Sequence, residues 1–429
     1  MITAIVFVFV IALVIGLPIA VAIGAASIVP NLLDPTFVTD VPFIIRGMIS
    51  GVNTFALLAL PLFMLSGDIM SKGGISKKLF DVFALIVGKR TAGLPCAAIL
   101  TCLFFGMISG SGPATCAAVG GMVLPILIAL GYDKVFCGAL IGTAAGLAVI
   151  IPPSIPYITI CAVTGSSIGK LMIAGIIPGF VIAFFLMIWT YIYCRKNGED
   201  KKKIEDNYNA LKSRGVLKIL KEAIWAVLFP VIILGGIYGG FATPTEVACV
   251  SVFYALIISL FVYKTISFRD IPGFLVGAVR TYAPICFLLA IACAFARVLT
   301  MTGAPKKLAS FIIGTIDSGT IFILIVIVLL IVLGMFIDVG PANVILAPIF
   351  LPAAQVFGIN DIHFLLIMIM CLAVGFVTPP FGMNLFVVAP LIKESSFDVG
   401  KKAIPFIAAN FLAVLLISFV PWLSLVLIT

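Results

Sequence analysis

In one of the most apolar parts of this chain, Gly106 to Thr115 read GMISGSGPAT, a glycine-rich run carrying hydroxyls at Ser109, Ser111 and Thr115 and a proline at Pro113. Gly334 to Asn343 read GMFIDVGPAN, repeating Gly, Met, Gly, Pro and Ala in register 228 residues later and adding Asp338 and Asn343. In a nonpolar medium, backbone that leaves the helix loses its hydrogen-bond partners, so such breaks persist only when buried in protein or lining a cavity. Hydroxyls, an amide and freed carbonyls at such a place are neutral oxygen ligands of the kind that suit Na+. Asp338 adds a formal charge, and a carboxylate at membrane depth marks function because it is costly to hold there.

Two double prolines sharpen this chemistry. Pro152-Pro153 and Pro379-Pro380 stand 227 residues apart, each downstream of one of the glycine runs. Proline has no N–H, so in a continuing helix the first pair would free the carbonyls of Ala148 and Val149, Pro156 that of Pro152, and the second pair those of Gly375 and Phe376. Each half then sets bare carbonyls beside a polar tip: Ser109, Ser111 and Thr115 in the first, Asn343, Thr378 and Asn384 in the second. Pro113 and Pro341 fall where a second helical arm would begin, and the free N–H groups and positive dipole end there suit a carboxylate. Tyr157, beside the first double proline, joins Ser111, Pro113, Thr115, Pro341, Asn343 and Asn384 as candidate substrate contacts. A cation and an organic anion can thus meet at one place. The plainer alternative, prolines and glycines merely kinking membrane helices, does not explain four breaks in matched register.

The elements that must position these residues are membrane spans. The chain is 63% hydrophobic and 10% charged, with a mean hydropathy of +1.33, far outside the soluble range. Apolar runs of about 20 residues recur throughout, long enough to cross a bilayer. Ile2–Ala25 lacks a charged leading region and reads as a retained span rather than a secretory signal. The ten cysteines stand singly in apolar runs and read as small hydrophobes. One histidine, His363, without HExxH or an evident nucleophile–base pair, argues against an enzyme, and no GxxxxGK[ST] phosphate loop is present. No organic cofactor is expected. The net charge of +9 is explained by topology rather than by nucleic acid.

Arg195 to Lys221 carry nine Lys/Arg in 27 residues, which places this linker, and with it the N-terminus, in the cytoplasm. Counting outward gives spans over Ile2–Ala25, Gly47–Met70 and Leu171–Cys194, a re-entrant hairpin over 95–130 and a broken helix over 135–164. Beyond the linker come Glu222–Phe241, Glu246–Tyr263, Thr281–Met301, a second hairpin over 320–357, a broken helix over 364–391, and Ile404–Ile428. GISKKL at Gly74–Leu79 matches GAPKKL at Gly303–Leu308, a third anchor at nearly constant spacing. With the extra span Glu222–Phe241 between them, the halves 1–194 and 222–429 run oppositely through the membrane. The fold expected is an all-α polytopic membrane protein of two inverted repeats, each with a re-entrant hairpin and a broken helix. Lys77–Gly88 and Lys306–Ile316 read as interfacial amphipathic helices flanking the hairpins. Asp68, Arg280 and Arg297 read as pairing with one another or reaching an interface. Glu246, after Thr243-Pro244-Thr245, reads as a helix N-terminal residue near the surface.

The paired GMxxxxGPA tips, the double-proline breaks and the two-half plan resemble the large membrane subunit of TRAP (tripartite ATP-independent periplasmic) transporters over essentially the whole chain. The resemblance implies an elevator: a transport domain holding both hairpins and both broken helices slides against a scaffold in a bacterial inner membrane. Na+ would drive uptake of an organic anion such as a dicarboxylate or a sialic acid. It further implies a first Na+ site at Ser109, Ser111, Gly146, Val149 and Pro152 and a second at Asp338, Gly340, Gly375, Thr378 and Met383. The halves differ, since Gly110 stands opposite Asp338, so the two sites would not be equivalent. The partners implied are a small four-helix membrane subunit and a periplasmic substrate-binding protein, both separate polypeptides. A stand-alone Na+/carboxylate symporter or antiporter of a related two-hairpin superfamily would share most of this architecture. A channel fits less well, because hairpins closing on a central site suit alternating access.

Overall fold

The structure, a computed structural model, describes residues 1–72, 74–304, 307 and 318–428. Among the described residues the regular structure is entirely helical, and seven helical segments are long and apolar enough to cross a membrane. The expected Lys306–Ile316 helix lies, Lys307 apart, outside the described residues.

Both hairpins form where the glycine runs place them. Helices Gly93–Ser109 and Gly112–Ala129 are separated by Gly110, at φ +60, and by Ser111 in an extended conformation. A left-handed residue here is readily supplied only by glycine. In the second half, Gly319–Gly334 and Val339–Val356 are separated by a turn ending at Asp338, which stands at the N-cap. Each hairpin is followed by a broken helix. The first runs Lys134–Ala144, tightens into a 3-10 turn over Ala145–Val149, passes a cis Pro152-Pro153 bond and resumes as Ile155–Thr164. The second runs Asp361–Gly375, passes a cis Pro379-Pro380 bond and resumes as Met383–Ile392. Hairpin, break and cis prolyl bond therefore recur in the same order in both halves.

Two expected spans prove to be interrupted. Ile2–Ala25 is two helices, Ile2–Val14 and Ile19–Leu33, parted at Gly16 (φ +87), Leu17 and Pro18. Ile5 packs with Ile23 and Ala26 in one buried cluster, so the two fold back on each other. Gly47–Met70 is likewise divided: Val41–Val52 ends at Asn53, and a 3-10 turn Phe55–Leu58 leads into Ala59–Lys72. The span expected from Thr281 begins earlier, as a helix over Ile271–Met301. Glu246 does sit in the first turn of a helix, Pro244–Ile257, where it closes a capping box with Thr243.

The basic linker is ordered as helix Lys201–Ser213, leading into Val216–Tyr238. It is fastened to the amphipathic helix Ile75–Val87 through buried Leu211, Ile219 and Ala223 against Val82, and by an Arg214–Asp81 ion pair at 2.8 Å. Glu199 reaches the base of the first hairpin, accepting from the Ala92 amide at 3.0 Å and from the Tyr132 hydroxyl at 2.5 Å. Burial and the Glu199 carboxylate hold the Tyr132 phenol far above its ordinary range, so it remains a donor.

Candidate functional site

The two hairpin tips meet in one cavity of about 230 Å³. The first tip lines it with Ser109 through Ala114, the second with Asp338 and Gly340, and the first broken helix with Val149, Ile155 and Pro156. The wall opposite comes from helix Ala59–Lys72, through Met64, Gly67, Asp68 and Ser71, and from helix Ile271–Met301, through Thr281 and Ile285. Of the sequence-derived candidates, Ser109, Ser111, Pro113, Val149, Asp338 and Gly340 line this space. Asp68, which the sequence reads as pairing with Arg280 or Arg297 or reaching an interface, does so too. Among the described residues it forms no ion pair with Arg280 or Arg297, so its position as an intramembrane carboxylate was itself the signal.

The remaining candidates form a layer behind the cavity. Thr115 is buried and its hydroxyl lies 2.6 Å from that of Ser109, fixing the rotamer of a lining side chain. Asn384, buried on the first turn of Met383–Ile392, donates to the Gly142 carbonyl at 2.8 Å and so joins the second broken helix to the first. Its Oδ1 faces the first tip, 3.3 Å from where a Cβ on Gly112 would stand, and has no hydrogen-bond partner among the described residues. Asn343, beside Pro341 in the first turn of the second hairpin arm, is buried with neither amide atom partnered among the described residues. Gly146 faces the second broken helix, 3.5 Å separating its would-be Cβ from the Ala373 carbonyl. Met383 starts the helix after the second break. Tyr157 is not at the cavity: it is fully buried, and its hydroxyl donates to the Ile150 carbonyl inside the first break.

The carbonyls at the breaks are less bare than proline arithmetic suggests, because neither segment continues as a helix. Ser154 Oγ donates to Val149 O at 2.8 Å. Thr378 N donates to Gly375 O at 3.0 Å and Asn384 N to Phe376 O at 3.0 Å, while the Thr378 hydroxyl turns back to Val374 O at 2.7 Å. Pro152 is buried within the first break. A carbonyl retains a second lone pair after accepting one bond, so these oxygens are oriented rather than consumed. The tip itself is a small hydroxyl network, Ser109 Oγ lying 3.3 Å from Ser111 O and receiving Ser111 N at 3.4 Å. No group of three or more His, Cys, Asp or Glu able to hold a metal ion occurs among the described residues. The donor set fits a weakly held monovalent cation: hydroxyls, carbonyls, orphaned amide oxygens and one or two carboxylates.

Residues 6–423 match the family described as the DctM component of the tripartite ATP-independent periplasmic transporters. The chain is 36% identical over 373 residues to the C4-dicarboxylate TRAP transporter large permease protein DctM of Pseudomonas aeruginosa, covering 87% of this chain and 86% of that one. It is 35% identical over 413 residues to the isethionate TRAP transporter permease protein DctMQ of Oleidesulfovibrio alaskensis; the match takes in 96% of this chain and spans 64% of that longer protein. Among solved structures, the antimetabolite efflux pump MtrF of Neisseria gonorrhoeae is similar in fold, with a TM-score of 0.60 at 14% identity over 87% of this chain and 83% of that one. With two matched hairpins, two proline breaks and a family match across nearly its whole length, this chain belongs to the DctM family of TRAP transporter large permease proteins.

Proposed function

We propose that this chain is the Na+-coupled permease of a tripartite transporter that imports a small organic anion delivered by a periplasmic binding protein. The observation that carries the reading is the meeting of both hairpin tips in one cavity, with Ser109, Ser111 and Val149 on one side and Asp338 and Gly340 on the other. Neutral oxygens there serve the cation. The first turns of the arms beginning at Gly112 and Val339, with Pro113 and Pro341 near their starts, turn free N–H groups toward the anion. Related permeases named for C4-dicarboxylates and for isethionate support a carboxylate or sulfonate as the anion.

The halves are read as inverted repeats, with the hairpins and broken helices forming a transport unit that moves as an elevator against the remaining helices. Asp68, Thr281 and Ile285 contribute the scaffold wall. Na+ at the tips neutralises Asp338 and orders the hairpins over the anion, so that the loaded unit crosses. The basic linker faces the cytoplasm of a bacterium whose inner membrane holds the protein, and the partners are a small membrane subunit and the binding protein.

The test is uptake of labelled carboxylates and sulfonates into proteoliposomes under an inward Na+ gradient, with and without the cognate small subunit and binding protein. Uptake that requires Na+ and both partners is expected. Uptake by this chain alone would make it a stand-alone symporter, and uptake indifferent to Na+ would remove the coupling ion.

A further inference from the structure

A second cavity, of about 810 Å³, lies elsewhere in the molecule and holds none of the candidate site residues. It lies along three of the same elements as the tip cavity, at a different depth. Helix Ile271–Met301 lines the tip cavity with Thr281 and Ile285 and this one with Cys293, Arg297 and Thr300. The segment Ile155–Thr164 gives Ile155 and Pro156 to the first and Thr164 to the second; the second hairpin arm gives Gly340 to the first and Gln355 to the second. The fourth wall differs: here it is Ser50 of helix Val41–Val52 with Thr54 beyond its end, and at the tip cavity Gly67 and Asp68 of the next helix, Ala59–Lys72. Ile285 and Arg297 are separated by about 18 Å along the helix, at about 1.5 Å per residue. One seam between the proposed transport unit and the scaffold thus contains two cavities at successive depths.

Arg297 gives the larger cavity its charge. Arg297 is exposed and makes no ion pair, hydrogen bond or ring contact among the described residues. A guanidinium inside a span that is left without a counter-charge is costly and ordinarily finds a partner. Nearby hydroxyls are turned to their own helices and can still accept or reorient: Thr300 Oγ1 donates to Ala296 O at 2.8 Å and Ser50 Oγ to Gly47 O at 3.3 Å. The neighbouring carboxylate, Asp361, is occupied by the Gln355 amide at 3.1 Å. The group that an arginine fork in such a cleft recognises is a planar or trigonal oxyanion, held bidentately.

We infer that the Arg297 cleft is a second anion-binding site, a receiving station that holds the carboxylate or sulfonate of the transported molecule before it reaches the hairpin tips. The inference rests on the proposed transport reading for its ligand, but its physical content, an anion held by Arg297, can be tested separately.

The experiment places a reporter cysteine at Thr300 in the Cys249→Ser chain, Cys249 being exposed, with the same chain lacking the reporter as background. Reaction rates are compared for a sulfonate-bearing and an ammonium-bearing methanethiosulfonate, in the assembled complex reconstituted into neutral lipid. The anionic reagent should react faster by on the order of tenfold, and Arg297→Gln should remove that preference while Arg297→Lys keeps most of it. Millimolar dicarboxylate or isethionate should protect the reporter when Arg297 is present and not in the glutamine variant. In uptake, Arg297→Gln should raise KM with the maximal rate largely retained. Equal rates for the two reagents in the arginine and glutamine chains would overturn the inference. So would a preference that vanishes only in anionic lipid, which would make the occupant a lipid headgroup phosphate. If wild-type complex takes up no anion, the transport reading fails, while the reagent preference and protection still decide whether Arg297 holds an oxyanion.

Discussion

Gly334 and Gly375 meet where the second hairpin crosses the second broken helix: a Cβ on Gly334 would stand 3.2 Å from Gly375 Cα and 2.7 Å from Leu372 O. The first half repeats the contact, a Cβ on Gly106 falling 2.7 Å from Ala148 Cα. In both halves a hairpin arm lies against its broken helix at a distance only glycine permits. That contact fixes the tip against the oxygens of the break.

Adding one methyl group at this crossing tests how tightly the unit is packed. Gly334→Ala and Gly106→Ala should each destabilise the protein by about 1–3 kcal/mol, since backbone rather than a pliable side chain must yield. Gly121→Ala, on the second arm of the first hairpin with nothing within 4 Å of its would-be Cβ, should be neutral or stabilising by about 0.4–1 kcal/mol. Melting curves of the purified protein in detergent compare the three. Equal effects at Gly106 and Gly121, or at Gly334 and Gly121, would show that the crossing is looser than described.

Glu199 ties the linker to both ends of the first hairpin, through the Ala92 amide and the Tyr132 hydroxyl. Glu199→Gln retains the shape but not the charge that strengthens two hydrogen bonds at once, and should cost roughly 1–2 kcal/mol of local stability. Hydrogen exchange should accelerate over residues 90–96 and leave the second hairpin unchanged. Tyr132→Phe should give a smaller effect in the same peptides. Unaltered exchange in both variants would mean that the hairpin base is held by its helix packing alone.

Asp338 is the one acidic residue in either of the two glycine-rich tip runs, and Asp68 lines the same cavity from helix Ala59–Lys72. If Na+ binds at the tips as proposed, Asp338→Asn should raise the Na+ concentration needed for half-maximal uptake by at least tenfold, because the charge beside the proposed cation site is removed while the turn can still form. Asp68→Asn should shift it less if Asp68 only shapes the field. Unchanged Na+ dependence in both would separate these carboxylates from the coupling ion.

The sequence made the two tips and the two breaks legible because glycine and proline in an apolar run leave few local conformations open. Hydropathy could not show the gap at Gly16–Pro18, since apolar residues flank it on both sides and the hairpin formed by Ile2–Val14 and Ile19–Leu33 is as greasy as a continuous span. The bare carbonyls were misjudged for a related reason. Subtracting proline N–H groups from an ideal helix assumes that the helix continues, whereas Thr378 N, Asn384 N and the Ser154 hydroxyl re-pair the oxygens once the chain turns. Tyr157 looked like a cavity residue by its place beside the prolines, yet only the tertiary packing decides which side of a break a side chain takes. Asp68 and Arg297 lay outside both motifs, and no local pattern distinguishes a buried pair from two charges facing separate cavities.

Asn343 offers the sharpest contrast between folding and function. It is fully buried one turn into the second hairpin arm, and both amide atoms lack partners among the described residues. Each such atom costs about 1–3 kcal/mol when desolvated without a hydrogen bond. A residue kept for packing alone would be better replaced by a hydrocarbon of similar size, so Asn343→Leu should raise the melting temperature of the ion-free, anion-free protein. The same substitution removes a carbonyl oxygen and an amide from the layer behind the tips, and should abolish the further stabilisation that Na+ or substrate gives the wild type through linkage. Uptake should fall with it. Melting curves in choline and in Na+, with and without a carboxylate, read both effects in one series. A lower melting temperature in choline would mean that the Asn343 amide is already satisfied within the fold. A Na+ response equal to wild type would leave Asn343 outside the site.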